Sequence, residues 1–171
     1  MSQNDIEAKI QTALSYKAQG NEAFGAKQYQ EALRCYHHAV LYLSGLDEGI
    51  LAGLTGQSHP TSQGTRDDKI QLSQVRSNMA ACYLQLQQWD KALDACDKAL
   101  ALDATNKKAI FRKAQALRQR GDMYKARAWL ASSTAQPFLS DVDFAREQAR
   151  IEALILTRER QSAHRLRGFL S

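Results

Sequence analysis

The sequence predicts an all-α protein, a helical solenoid of three helix-turn-helix units closed by a C-terminal helix. The first observation behind this is a repeat. Ala80 and Ala114, Lys91 and Lys125, Ala92 and Ala126, and Ala99 and Ser133 each lie 34 residues apart, a period suited to one helix pair. The string Gln88-Trp89-Asp90-Lys91-Ala92 returns as Asp122-Met123-Tyr124-Lys125-Ala126. An earlier copy, Gly20, Ala32, Tyr36 and Ala39, precedes Ala80, Ala92, Cys96 and Ala99 by 60 residues, one period and an insertion of 26. The second observation is that proline occurs only at Pro60 and Pro137, so long helices meet few breakers. Small residues at these spacings let helix backbones approach, and Phe24, Tyr36, Tyr83, Leu84 and Leu130 fill the gaps between them. One pair cannot bury its apolar face alone, so stacked copies share a continuous core.

Each element follows in order. Asn4 with Glu7 forms a capping box that starts a first helix of about 5–26, which Gly25 helps to end. A second helix is expected over Tyr29–Ser44. Residues 45–66 hold Gly45, Gly49, Gly53, Gly56, Pro60 and Gly64 and are expected to form a mobile loop, with Leu46, Ile50, Leu51 and Leu54 able to prolong the helix before it. Asp67-Asp68 opens a third helix and Trp89 lies near the start of a fourth. Asn106 caps a fifth, which Gly121 ends, and a sixth spans about Asp122 to Ser133. After Pro137, Ser140 with Asp143 is a second capping box, opening a final helix of about 141–167. Phe144, Ile151, Leu154 and Ile155 give its first half an apolar stripe, while Arg158 to Arg167 is polar and expected to project into solvent. The resulting division is an N-terminal helix and first repeat (1–46), an inserted loop with the start of the next helix (47–72), repeats at 73–106 and 107–137, and a capping helix with a basic tail (138–171).

Composition removes whole classes of function. With 44% hydrophobic and 24% charged residues, the chain can bury a real core. No stretch approaches the roughly 18 uninterrupted apolar residues of a membrane span, and the start, Met-Ser-Gln-Asn-Asp-Ile-Glu, lacks the regions of a secretory signal. Cys35, Cys82 and Cys96 are odd in number and include no CxxC pair, which suits neither a disulfide framework nor a zinc ribbon. They sit on apolar helix faces, as buried inert thiols do. A cytoplasmic protein is expected. His37 and His38 are adjacent and do not converge on one metal, and His59 and His164 have no ligand set around them. Without GxSxG, a Walker sequence or GxGxxG, no enzyme, cofactor or metal is expected.

Charge is unevenly placed. The net charge is +5, yet residues 105–127 alone hold eight basic side chains against one acid, Asp122. Such a segment suggests an acidic partner, a solvated helix face being the plain alternative. Aromatics for base stacking are missing beside these cations apart from Phe111, so nucleic acid is not expected.

The period and its small residues resemble the tetratricopeptide repeat, with copies at about 13–46, 73–106 and 107–137. Arg76 departs from the pattern, standing where a large apolar residue is usual. Ala104 stands where proline is common, and the third copy loses register after Ser133. The resemblance implies that the first helix of each pair lines a concave groove. Those helices carry Lys17 and Asn21, then Asn78, then Lys108 and Arg112. This set resembles the two-carboxylate clamp of tetratricopeptide co-chaperones, which grips the final aspartate of a Glu-Glu-Val-Asp chain end. Such ends terminate the cytosolic heat-shock chaperones of the 70 and 90 kDa classes. The chemistry stands independently: a terminal aspartate presents two carboxylates, Lys17 and Lys108 offer ammonium donors, and Arg112 offers a planar fork. Asn21 and Asn78 donate without adding charge.

Ala81 leaves room for the peptide's valine, and Lys107 and Lys113, with Arg118 and Arg120, are placed to attract upstream acidic residues. The expected function is a non-catalytic, monomeric adaptor that binds a chaperone tail, with no membrane partner. The alternative is a scaffold for a cytoskeletal or signalling partner held by the convex face, loop or tail. In size and in the insertion after repeat one, the chain most resembles the tetratricopeptide repeat protein 9 family.

Overall fold

A computed structural model describes residues 3–44 and 66–169, with side chains from Glu7 onward. The Asn4–Glu7 capping box and the expected loop, with Leu46, Ile50, Leu51 and Leu54, lie outside the residues or side chains described. The described chain is helical throughout, without a strand: α1 (Gln3–Gly25), α2 (Tyr29–Ser44), α3 (Arg66–Gln85), α4 (Trp89–Leu102), α5 (Lys107–Arg120), α6 (Met123–Leu130), a 3-10 turn (Gln136–Phe138) and α7 (Val142–Phe169). Each helix packs on its successor, and α1, α3 and α5 also touch one another in turn. This is the stacking of a solenoid built from the pairs α1/α2, α3/α4 and α5/α6.

The repeat of small residues marks the backbone crossings. Ala32, Ala39, Ala80, Ala92, Ala99, Ala114 and Ala126 are all fully buried. Gly20 shows why: a Cβ there would lie 2.6 Å from Cε1 of Tyr36, so the α1 backbone rests directly on the ring. One apolar cluster runs from Ala13 through Tyr36 and Met79 to Cys96. A second runs from Leu84 through Ile110 and Leu130 to Ile155. Tyr83 packs against both and joins them.

The turn within each pair is the same device three times. Lys27 (φ 61), Gln87 (φ 57) and Gly121 (φ 96) adopt the left-handed conformation at repeat-equivalent positions. In each the following amide reaches back across the helix end, Gln28 N–H to Ala23 O, Gln88 N–H to Tyr83 O and Asp122 N–H to Leu117 O, all at 2.9 Å. This Schellman arrangement satisfies carbonyls that the helix leaves unpaired. Gly25, expected to end the first helix, is instead its last helical residue, and the left-handed position falls two residues later on Lys27. Asn106 caps α5 as expected, its side chain accepting from Ala109 N–H at 3.1 Å.

Three further expectations are corrected. The sixth helix ends at Leu130 and not near Ser133, because Ser132 Oγ donates to the Trp129 carbonyl at 2.6 Å and competes with helix continuation. Ser133 is exposed, and Ala135 is buried beyond it. At the start of α7 the carboxylate of Asp141, not Ser140, accepts the Asp143 N–H, at 3.0 Å. The buried stripe of α7 is Phe144, Glu147, Ile151 and Ile155. Leu154, at the edge of that stripe, is 42% exposed.

Candidate functional site

The face formed by α1, α3 and α5 encloses three adjoining cavities. One of about 480 Å3 is lined by Lys17, Asn21, Asn78, Lys107 and Lys108, among others. The next, about 270 Å3, is lined by Asn21, Tyr36, Asn78, Ala81, Lys108 and Arg112 together with Phe24. The third, about 570 Å3, continues past Phe24, Ala81, Lys108 and Arg112 to Trp89, Phe111, Gln115 and Gln119. Lys108 borders all three. The helix period is the cause: Lys17 and Asn21, and Lys108 and Arg112, are spaced i,i+4 and share a face, and the repeat stacks those faces side by side.

The polar groups form a connected set. Lys17 Nζ donates to Gln71 Oε1 at 2.8 Å and to Gln74 Oε1. Arg112 Nη1 donates to the carbonyl and the hydroxyl of Ser77, each at 2.7 Å, and more weakly to Asn78 Oδ1 at 3.4 Å. Asn78 Nδ2 donates to Asn21 Oδ1 at 3.1 Å. The Tyr36 hydroxyl donates to the same oxygen at 2.8 Å. Burial, reinforced by the nearby Cys82 thiol, pushes Tyr36 up to about 12, so its hydroxyl remains a donor across the physiological range. Burial, and after it the charge of Lys108, holds Lys17 below the usual lysine value. Burial likewise lowers Arg112, whose guanidinium stays charged regardless.

Counter-ions divide the basic residues. Of the eight in 105–127, five pair with carboxylates: Lys107 with Asp141, Lys113 with Asp97, Arg118 with Glu147, Arg120 with Asp90 and Asp122, and Arg127 with Glu152. Lys108 and Arg112 have no carboxylate partner among the described residues, nor does Lys17 on α1. The three cations of the groove are therefore held by neutral groups or by none, a costly state for the partly buried Arg112.

Not every expected groove residue is there. Lys113 points to the other side of α5, where its Nζ lies 2.6 Å from Asp97 and 4.3 Å from the centre of the Trp129 ring. A step of one residue from Arg112 turns it by about 100°. Lys107 borders the groove but is tied to Asp141. Arg118 and Arg120 are likewise engaged within the chain, so the basic excess of this segment is largely neutralised internally. Sequence reasoning missed Gln71, Gln74, Ser77 and Tyr36. The first three share a helical face with Asn78 or neighbour it, and spacing alone would have placed Gln74 beside it. Among the described residues no His, Cys, Asp and Glu group is fit to hold a metal, and no helix is long and apolar enough to cross a membrane.

Comparison with known proteins agrees with this architecture. The tetratricopeptide repeat family matches residues 73–106. Human zinc finger CCCH domain-containing protein 7B is 35% identical over 104 residues, 61% of this chain and 9% of that protein. Peptidyl-prolyl cis-trans isomerase FKBP42 of Arabidopsis thaliana is 27% identical over 122 residues, 71% of this chain and 31% of that protein. The chain thus spans well under half the length of these curated relatives. Among solved structures, the C-terminal tetratricopeptide domain of a putative FK506-binding protein of Plasmodium falciparum superposes with a TM-score of 0.68 at 22% identity, covering 91% of this chain and 95% of that one. The first tetratricopeptide domain of Spaghetti (RPAP3), bound to the HSP90 peptide SRMEEVD, gives 0.63 at 20% identity, with 86% and 98% covered. The second such domain of human RPAP3, in complex with the HSP70 peptide SGPTIEEVD, gives 0.62 at 20% identity, with 84% and 98% covered. The chain carries a tetratricopeptide repeat at 73–106 and folds as a tetratricopeptide solenoid.

Proposed function

We propose that this protein is a non-catalytic adaptor whose groove binds the acidic C-terminal tail of a cytosolic heat-shock chaperone of the 90 or 70 kDa class. One observation carries the reading: Lys17, Lys108 and Arg112 line one groove beside the amides of Asn21 and Asn78, and none of the three is paired with a carboxylate among the described residues, since Asp103, which also borders the groove, accepts from the Thr105 amide and hydroxyl instead. A chain-terminal aspartate brings two carboxylates to that point, supplying the partners that these three cations lack. Ala81, 8% exposed and bordering two of the cavities, leaves room for the adjacent apolar side chain. Support also comes from the two RPAP3 domains of the same fold, each bound to a peptide ending in Glu-Glu-Val-Asp. Size and plan ally the chain with the tetratricopeptide repeat protein 9 family, and a monomer suits a groove completed within one chain.

The test is a calorimetric titration with a peptide ending in Met-Glu-Glu-Val-Asp beside its C-terminally amidated twin. The free acid is expected to bind in the micromolar range, about −8 kcal/mol, and the amide at least tenfold more weakly. Charge reversal of Lys108 and Arg112 to Glu abolishes the difference. Equal binding of both peptides would reduce the groove to unspecific attraction, and absence of binding by either would overturn the proposal.

A second reading has its own observation. Beyond Ile155, α7 buries no residue, and Leu156, Leu166 and Phe169 are 51%, 65% and 91% exposed among Arg158, Arg160, Arg165 and Arg167. A partner held there would make the protein a scaffold, and its binding would survive the charge reversal in the groove.

A further inference from the structure

The hydrogen bonds behind the groove have a polarity that can be derived. Arg112 is a donor only, so the atom of Asn78 facing it, 3.4 Å away, is the oxygen. The other face of Asn78 is then its NH2 group, which needs an acceptor and finds Asn21 Oδ1 at 3.1 Å. Asn21 Oδ1 therefore accepts, and Tyr36, 2.8 Å from the same oxygen, must donate. With its oxygen claimed twice from behind, Asn21 keeps Nδ2 as a donor that has no acceptor among the described residues, on a side chain bordering two of the cavities. Tyr36 cannot drift from this duty. It is 1% exposed, and its ring lies against Gly20, where even a methyl group would sit 2.6 Å away.

We infer that Tyr36 is a positioning residue of the carboxylate site: its hydroxyl fixes the amide of Asn21 so that Nδ2, and not Oδ1, meets an incoming carboxylate. The inference rests on the carboxylate-clamp reading above. An asparagine free to turn would present its oxygen to an anion about as readily as its nitrogen. Repulsion in that orientation would halve the competent population and weaken the remaining contact. Tyr36 sits on the second helix of its pair and borders the same cavity, but its hydroxyl proton is spent on Asn21, and so it acts through that amide.

The substitution Tyr36→Phe keeps the ring against Gly20 and removes only the hydroxyl. It should weaken the free-acid peptide roughly three- to tenfold, the worth of one hydrogen bond, and leave the amidated peptide unchanged. In an Asn21→Ala background the same substitution should have no further effect, which a general loosening of the fold would not reproduce. Asn21→Asp, which still accepts from Tyr36 and Asn78 but cannot donate, should lose binding more severely than Tyr36→Phe. A second readout needs no ligand: the side-chain amide signals of Asn21 in the 1H–15N spectrum of the free protein should shift or broaden in Tyr36→Phe. If those signals stay in place, the inference is overturned even where no peptide binds. If the parent binds the free acid, Asn21→Ala weakens it and Tyr36→Phe does not, the inference fails while the clamp reading stands.

Discussion

Glu147 sits in the buried stripe of α7 with none of its side chain exposed, where the period of the helix calls for an apolar residue. One oxygen accepts from Arg118 Nε at 2.5 Å. The other has no hydrogen-bond partner among the described residues, although Arg150 Nη1 stands 3.5 Å from it. Arg118 is 18% exposed, so the pair is cut off from water and from most salt screening. Replacing Arg118 by Met keeps the aliphatic volume and leaves the buried carboxylate only the more distant and exposed Arg150, which costs about 3 kcal/mol. For a chain of this size each kcal/mol lowers the melting temperature by about 2–4 °C, so a fall of about 10 °C is expected. The double substitution Arg118→Met with Glu147→Leu removes the stranded charge along with its partner and should recover to within about 1 kcal/mol of the parent. Urea unfolding followed by circular dichroism reads both variants. A single variant that loses less than about 1 kcal/mol, or a double variant as unstable as the single, would refute the assignment of this pair as the lock between α5 and α7.

Other consequences can be checked as directly. Lys17 is held below the usual lysine value in the free protein, and a bound carboxylate favours its charged form. Affinity is therefore fully present below the free-state value and is lost as pH rises from there through the higher bound-state value, so peptide binding should begin to weaken before pH 10.5, the usual lysine value. Titrations at stepped alkaline pH should show this, and Lys17→Arg should flatten the dependence. Lys113→Ala removes the Asp97 ion pair and the cation over Trp129, and should cost about 1 kcal/mol of stability while peptide affinity stays within about twofold, a calorimetric comparison. Gln87 occupies a left-handed position that its repeat counterpart Gly121 fills without strain. Gln87→Gly should therefore stabilise the fold by about 0.5 kcal/mol, the relief at φ exceeding the added chain entropy, as thermal unfolding would show.

The fold was legible because it is periodic. A spacing of 34 relates the starts of α4 and α6, and the same spacing widened by the insertion of 26 relates α2 to α4, while the alanines it linked, from Ala80 to Ala126, are fully buried. Legibility failed where local chemistry overrode the period. Ser132 turns its hydroxyl on the Trp129 carbonyl and shortens α6. Glu147 takes a core position because Arg118 reaches it, a pairing across 29 residues that no local pattern announces.

At the groove, the five principal residues border the same connected cavities as their spacing implies. What sequence could not supply was which cations lack counter-ions. Lys108 and Lys113 look alike in the string Lys107-Lys108-Ala109-Ile110-Phe111-Arg112-Lys113, yet one borders the groove and the other is spent on Asp97 and Trp129. That distinction depends on where α4 and α6 place their acids and rings. The Tyr36 hydroxyl was hidden for the same reason, since it reaches the site from α2, whereas Gln71 and Gln74 share the α3 face of Asn78 and were open to the spacing argument.

The most direct test of the central claim is to map the free-acid Met-Glu-Glu-Val-Asp peptide onto the 15N-labelled full chain by chemical-shift perturbation. The largest shifts are expected at Asn21, Asn78, Lys108 and Arg112, extending along α5 toward Gln115, with the amidated peptide leaving Asn21 and Arg112 in place. Shifts confined to the exposed half of α7, between Leu156 and Phe169, with the groove signals unmoved, would contradict it.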